Sequence, residues 1–234
     1  MAAAERATIS VIVPVLNEAG ILSQTLRCLQ PLRQHGHEVI VVDGGSTDDS
    51  LAEAASMADR ILQTAPGRAV QMHAGALAAK GSIVWFLHAD TLAPAEADSL
   101  IHDSLAAGDA AWGWFDVHLS GGQRLLACVA WLMNRRSRLT GIATGDQGIF
   151  VQRALYDQAG GFPQLPIMED ISLSRRLRQL GRPVQIATPL LSSSRRWEKH
   201  GVLRTIFTMW GLRLGYFLGI APQRLARFYA VHRT

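Results

Sequence analysis

Residues 41–50 read VVDGGSTDDS, an apolar run that ends at an acid and two glycines. The run begins at Ile40 and predicts a strand buried on both faces, and Gly44 and Gly45 allow a sharp turn after Asp43. In an open α/β sheet, ligands bind outside the carboxyl ends of the strands. The segment therefore fits a ligand site, and on its own it fits an acidic capped turn equally well.

Two further apolar runs, at residues 9–13 and 83–87, also end in polar residues. Because parallel strands bring their carboxyl ends to one edge of a sheet, we expect the residues that follow these runs to lie together. Asn17 also fits the N-cap of a helix over residues 19–34. The candidates at this edge are Pro14, Asn17, Glu18, Asp43, Gly45, His88, Ala89 and Asp90.

Strand and helix patterns alternate along the first half of the chain, which predicts parallel βαβ units with right-handed crossovers. The predicted strands are 9–16, 38–43, 60–64, 83–88 and 111–118, and the predicted helices are 19–34, 48–57, 68–79 and 94–106. A different order follows: helix 123–137, strand 147–152, helices 153–159 and 170–180, and strand 183–190. We predict an α/β domain at residues 1–200 with a mostly parallel mixed sheet flanked by helices, and an amphipathic helical extension at 201–234.

Composition narrows the class of protein. The chain has 234 residues, of which 48% are hydrophobic and 18% charged, so it is long enough for one well-packed domain and too apolar for disorder. A net charge of +4 suits phosphate-bearing ligands, an anionic membrane or nucleic acid. We expect no nucleic-acid partner, because no recognised binding module occurs. GxGxxG and P-loop patterns are both missing, which argues against dinucleotide and P-loop sites.

The first residues, MAAAERATIS, lack the basic-then-apolar order of a secretory signal, so a cytoplasmic location is expected. No uninterrupted apolar run reaches the ~18 residues of a spanning helix. Cys28 and Cys128 share no metal-ligand spacing and fit ordinary core positions.

Four motifs in order carry a resemblance to a known family: VPVLNE at 13–18, VDGGSTDDS at 42–50, GRAVQMHAGALAAKG at 67–81 and FLHAD at 86–90. Together they resemble the nucleotide-diphospho-sugar glycosyltransferases of family 2, which have the GT-A fold. The pair DGGSTD and FLHADT resembles a small bacterial branch of that family. The resemblance runs from about residue 9 to 197. It implies an inverting enzyme that moves a sugar from a nucleotide-diphospho-sugar to a hydroxyl acceptor.

The resemblance also implies roles for the donor-side residues. Asp43 matches the aspartate that contacts the nucleobase, and Arg68 matches a position near the diphosphate. Asp90 ends the acidic D-x-D motif that holds a divalent cation, Mg²⁺ or Mn²⁺. His88 replaces the first acid, so we expect metal to bind together with the donor; for His88, packing and ligation both stay open. Two alternatives remain: Asp90 also fits a helix cap before Pro94, and Arg68 also fits a solvated arginine in the first turn of a helix.

The acceptor side is implied by LPIMED at residues 165–170, which resembles the family's E-D pair. Asp170 is the expected general base, and Glu169 orients the acceptor or shares that role. Gly145 and Asp146 match the acceptor and sugar side of the pocket. Arg196 and Trp197 resemble an R-W pair, and Arg196 is inferred to close over the diphosphate. Two acids at the start of a helix also fit a purely structural role, in which their negative charges stabilise the positive end of the helix dipole.

The C-terminal segment has an apolar stripe with arginines nearby, formed by Leu203, Ile206, Phe207, Trp210, Leu214 and Phe217. Docking on an anionic membrane surface and packing in a homodimer fit this stripe equally well. The expected acceptor is lipid-linked, a glycan or a small molecule. Two other functions stay open: a nucleotidyltransferase that makes sugar nucleotides, and a non-catalytic scaffold that binds them at a membrane surface.

Overall fold

A computed structural model describes residues 7–231, and its eight strands form one sheet in the order β3-β2-β1-β4-β7-β6-β8-β5. The strands are β1 (Ile9–Val15), β2 (Glu38–Asp43), β3 (Arg60–Gln63), β4 (Ile83–Phe86), β5 (Thr91–Leu92), β6 (Trp112–Leu119), β7 (Phe150–Gln152) and β8 (Val184–Ser192). The first four strands, β1 to β4, pair with one another in parallel. Strand β7 is antiparallel to both of its neighbours, β4 and β6. The prediction of a mostly parallel mixed sheet is confirmed.

Eleven α-helices flank this sheet within residues 7–231. They are α1 (Leu22–Cys28), α2 (Gln30–Gln34), α3 (Ser50–Ala54), α4 (Arg68–Ala78), α5 (Ala97–Ala106), α6 (Arg124–Thr140), α7 (Arg153–Gln158), α8 (Glu169–Leu180), α9 (Arg195–His200), α10 (Val202–Phe217) and α11 (Pro222–Val231), with a 3₁₀ turn at Gly145–Gln147. The short α9 was not predicted from the sequence.

Both faces of the sheet are buried, and this explains the continuous apolar runs of its strands. Val11 and Val41 contribute to the core cluster on one face, while Ile12 and Ile40 contribute to the cluster on the other. The strand register places Val15 beside Asp43, so β1 and β2 end at the same level. The residues that follow them consequently meet at one edge of the sheet.

The predicted helix at 19–34 is wrong in its extent, because the chain forms two shorter helices, α1 and α2. Pro31 has no backbone N–H and cannot complete the hydrogen bond that would continue α1. The break falls at Leu29, whose N–H donates to the carbonyl of Leu26 three residues back. The short strand β5 was also missed, since two residues carry too little pattern to predict a strand.

The C-terminal extension contains two helices, α10 and α11, where one was predicted. Val202 and Ile206 of α10 pack against a small cluster that includes Leu119 of β6 and Leu126 of α6. The division of the chain at residue 200 stays a prediction. Among residues 7–231, no helix is both long and apolar enough to cross a membrane.

Candidate active site

The loops after β1 and β2 are joined by hydrogen bonds into one wall, which we call the loop wall (residues 16–23 and 44–53). Asn17 N–H donates to Ser46 Oγ at 2.9 Å, and Asn17 Oδ1 accepts from Thr47 N–H at 2.8 Å. Further along, Glu53 accepts from the N–H groups of Gly20 and Ser23. The backbone of one loop is therefore fixed largely by side chains of the other.

Asn17 does not cap a helix, which corrects the N-cap interpretation. Its φ is 53°, and the helix α1 begins only at Leu22 with Ile21 as N-cap. The amide bonds across the loop wall instead. Among the described residues, Asn17 and Met168 are the two non-glycine positions with positive φ. Such backbone costs of the order of 1–3 kcal/mol and clusters at functional sites; Met168 directly precedes Glu169.

Asp43 lies at the end of β2 but is fully buried. Its carboxylate accepts from Gly45 N–H at 3.0 Å and from Ser46 N–H at 3.1 Å. Gly45 has φ 94°, a conformation that other residues rarely adopt, so the turn requires this glycine. In this conformation Asp43 holds the turn, and a direct contact with a nucleobase would require the turn to open.

Two carboxylates at the strand edge share one cation, Arg195 of α9. Arg195 Nη2 lies 2.7 Å from Glu18 Oε2 and 4.0 Å from Asp90 Oδ2. The structure thus brings together the ends of β1 and β4 as predicted, but it does so through an arginine that sequence reasoning missed. The sequence analysis named the next residue, Arg196, for this role. The side chain of Arg196 lies outside the part of the chain that the structure describes.

His88 is buried at the end of β4 and faces the turn at residues 145–147. Its Nδ1 lies 3.2 Å from Asp146 Oδ1. A Cβ added to Gly145 would collide with His88 Nε2, so only glycine fits this approach. Both ring nitrogens thus face the Gly145–Asp146 turn, and the packing alternative for His88 is the one that the geometry favours.

Three predicted contacts fall in packed regions of the fold. Pro14 is buried within β1, opposite Val42. Ala89 is buried in the core, and its carbonyl accepts from Thr25 Oγ1 at 2.7 Å. Trp197 packs on the cluster between β6 and α6. The side chain of each of these residues packs within the fold, and its contact with a ligand stays a prediction.

The two acids of LPIMED line a small pocket at the first turn of α8, and its space of about 250 Å³ includes the open solvent at its mouth. Apolar side chains form most of its other walls: Met72, Phe86, Ile149 and Phe162, beside His88 and Gly145. Asp170 Oδ2 accepts from Gly145 N–H at 2.8 Å, and its Oδ1 accepts from Ile171 N–H at 2.7 Å. The turn and α8 are thereby fixed together.

Glu169 is buried in this pocket, and its pKa is raised to about 7. Burial is the main cause and the charge of Asp170 adds to it, whereas Arg68 acts in the opposite direction. The two adjacent carboxyl groups are consequently most stable when they carry a single negative charge. Titration near neutral pH is typical of groups that hold or move protons.

Two arginines balance the negative charge around the pocket. Arg68 lies at the start of α4, and its pKa is raised overall. Loss of water around the guanidinium lowers this pKa, but the negative charges of Glu169, Asp146 and Asp170 raise it by more. Arg136 of α6 is half-buried, and burial lowers its pKa against the effect of Asp170 and Asp146. Its Nη2 donates to Ser137 Oγ at 2.8 Å. The sequence offered no signal for Arg136 beyond its place in a basic helix.

Replacing Gly145 tests how tightly this arrangement is built. We expect Gly145→Ala to lower the transfer rate at least about tenfold, because the new methyl group displaces His88 and a shift of about 1 Å is enough for such losses. Steady-state kinetics measure it. Gly122→Ala is a matched control, since a Cβ there meets nothing within 4 Å; equal effects of both substitutions would remove Gly145 from the site.

The residues at Asp90 fit a divalent cation. Asp90 and Glu18 already face a positive group, the Arg195 guanidinium, so this edge accommodates positive charge. Carboxylate oxygens are ligands that Mg²⁺ and Mn²⁺ prefer. In residues 7–231, no group of three or more His, Cys, Asp or Glu side chains is arranged to hold a metal ion.

Residues 10–152 match the family model described as Glycosyl transferase family 2. The chain belongs to this family. The matched range covers more than half of the 234 residues and includes the whole edge formed by β1, β2 and β4. Among curated relatives, glucosyl-3-phosphoglycerate synthase of Mycobacterium tuberculosis is 31% identical over 97 residues. That match covers 37% of this chain and 30% of the relative.

The fold is similar to that of several solved structures. A mannosyltransferase from Pyrobaculum calidifontis, solved with GDP-Man and Mn²⁺, gives a TM-score of 0.68 at 22% identity over 97% of this chain and 70% of that chain. S. aureus TarS 1–349 gives 0.65 at 19% identity over 85% of this chain and 64% of that chain. The M. tuberculosis synthase, solved with Mn²⁺, UDP and phosphoglyceric acid, gives 0.64 at 20% identity over 92% and 79%. The GT-A prediction is confirmed.

Proposed function

We propose that this family 2 protein is an inverting glycosyltransferase that moves a sugar from a nucleotide-diphospho-sugar to a hydroxyl acceptor. One observation carries the proposal: a pocket joins Glu169 and Asp170 of α8 to His88 and to the turn at Gly145. Two relatives of similar fold were solved with a nucleotide or nucleotide sugar and Mn²⁺.

On the donor side, Arg68 binds the anionic diphosphate of the nucleotide sugar, and the Glu18–Asp90 edge would bind it only through a divalent cation. Arg68 begins α4, where backbone N–H groups also favour an anion. Asp90 would hold the divalent cation together with the donor diphosphate. When bound, this cation stabilises the negative charge that grows on the departing diphosphate. When the donor binds, Arg195 must leave the carboxylates of Glu18 and Asp90 and contact the donor diphosphate instead.

On the acceptor side, Asp170 takes the proton of the attacking hydroxyl. The acceptor oxygen bonds to the anomeric carbon as the bond to the diphosphate breaks, and the configuration inverts in this single displacement. Asp170 is held in place by Gly145 N–H. Glu169 has a pKa of about 7, and its protonated form can donate a hydrogen bond to the acceptor.

The two other functions have less support. A nucleotidyltransferase would need a basic triphosphate-binding loop after β1, and residues 14–18 there, PVLNE, carry an acid and no base. A scaffold without catalysis would have no use for a buried glutamate with a pKa near 7 beside a second carboxylate, since that pair destabilises the fold at neutral pH.

A panel of UDP-, GDP- and dTDP-sugars with and without Mn²⁺ tests the proposal. We expect one nucleotide class to raise the unfolding temperature only when Mn²⁺ is present, with a stabilisation of about 2.7 kcal/mol at ~100 times Kd. EDTA should abolish the shift. Stabilisation that EDTA leaves intact would exclude the metal-assisted site, and release of pyrophosphate from a nucleoside triphosphate and a sugar phosphate would favour the nucleotidyltransferase.

A further inference from the structure

Helix α10 exposes a continuous apolar face. Its large exposed side chains recur at alternating spacings of four and three residues, which places them on one side of the helix. Phe207 is 69% exposed and Trp210 is 61% exposed. The face consists of Leu203, Phe207, Trp210, Leu214 and Phe217.

Helix α6 extends this face. Ile206 of α10 packs on the cluster that contains Leu126 and Val129 of α6, so the two helices are neighbours. On its own outer side, α6 exposes Trp131, which is 60% exposed, together with Leu125, Leu132 and Leu139. We call the exposed residues of both helices the apolar face. Two tryptophans and two phenylalanines in such a surface exceed what a monomer leaves to water without function.

The charge around the apolar face has one sign. Helices α6, α10 and α11 contain eight arginines and no aspartate or glutamate, although the whole chain has 19 acids. Arg204 and Arg213 flank the apolar face of α10 on either side, at roughly 80–100° around the helix. A second copy of the same surface would bring arginines against arginines, and like charges across an interface are costly. Anionic headgroups have the complementary charge.

We propose that the apolar face docks on the surface of an anionic bilayer, with α10 and α6 lying in the interface. An interfacial helix places its apolar side among the acyl chains and its arginines at the headgroups. The apolar face shares helix α6 with the acceptor side of the cleft, because Ser137 Oγ of α6 donates to Gln147 Oε1 at 2.7 Å in the turn that contains Gly145 and Asp146. Docking therefore brings the cleft to the bilayer without inserting it.

Vesicle flotation of the full chain tests this proposal, with phosphatidylcholine vesicles that contain or lack about 30% phosphatidylglycerol. We expect flotation with the anionic vesicles at about 50 mM salt and a loss of most of it at about 500 mM. Trp210→Glu should lower the partition coefficient at least about tenfold. Leu77→Glu is the matched control, because Leu77 of α4 is 69% exposed and lies outside the apolar face.

Three outcomes would overturn the proposal: no flotation with anionic vesicles at low salt, equal flotation with neutral vesicles, or a dimer in solution that Trp210→Glu dissociates. The last outcome would assign the apolar face to a second copy of the chain. Donor binding by Trp210→Glu, measured without vesicles, should equal that of the unaltered protein. Flotation does not depend on the donor. If the unaltered protein binds no donor, the proposed function is rejected and the result of the flotation experiment is unaffected.

Discussion

Asp170→Asn is expected to lower sugar transfer about 10²–10⁴-fold while donor affinity changes less than about threefold. The amide keeps the shape of the carboxylate and one acceptor oxygen for Gly145 N–H, which the carboxylate binds at 2.8 Å. It cannot accept the proton of the attacking hydroxyl at neutral pH. Single-turnover transfer and calorimetric titration of the donor measure the two quantities separately.

Asp103→Asn is the control for this substitution, since Asp103 is exposed on α5. Slow hydrolysis of the donor by water should survive in Asp170→Asn, because the groups that bind the diphosphate are intact. Near-normal transfer by Asp170→Asn together with its loss in Glu169→Gln would move the base to Glu169. Near-normal transfer by both variants would refute the acceptor-side mechanism.

Glu169→Gln is expected to stabilise the fold above pH 7 by about 1–3 kcal/mol and to slow transfer. The pKa of Glu169 is about 7 in the folded protein and near its usual value of 4.5 in the unfolded chain. Between these values the unfolded state releases the proton first, so the unaltered protein loses stability as pH rises from about 4.5 to about 7. Glutamine stays neutral and avoids this loss.

Urea unfolding at pH 5 and pH 8 measures whether Glu169→Gln raises or lowers the free energy of unfolding. The difference between variant and unaltered protein should be near zero at pH 5 and largest at pH 8. Glu96→Gln, at an exposed position before α5, should show no such pH-dependent gain. A variant that is less stable at pH 8 than the unaltered protein would mean that Glu169 is needed as a charged partner of Arg68.

The sheet was predictable because its strands are buried on both faces, so each leaves a continuous apolar run and a polar end. The failures follow from local chemistry. Pro31 interrupts a helix whose apolar spacing continues past it. Asn17 satisfies its amide across the loop wall, and a capping pattern in sequence does not reveal which N–H groups a side chain will meet.

The acids of the site were predictable for the same reason, since strand ends and a helix start fix where they lie. The arginines were not, because a long flexible side chain reaches charges far from it in sequence. Arg195 meets Glu18, which lies 177 residues away, and no pattern near either residue indicates that pairing. Arg136 is one of several basic residues of α6, and only packing shows that it lies by Asp170.

The loop wall has a thermodynamic consequence. Its hydrogen bonds, made by Asn17, Ser46, Thr47 and Glu53, join protein groups alone and need no ligand to complete them. A ligand that lies against it therefore loses no affinity to the ordering of these two loops. The same bonds restrict changes in loop length. An insertion or deletion in either loop would misalign several of these hydrogen bonds at once, so we expect new ligand specificities to arise by substitution of side chains at constant loop length.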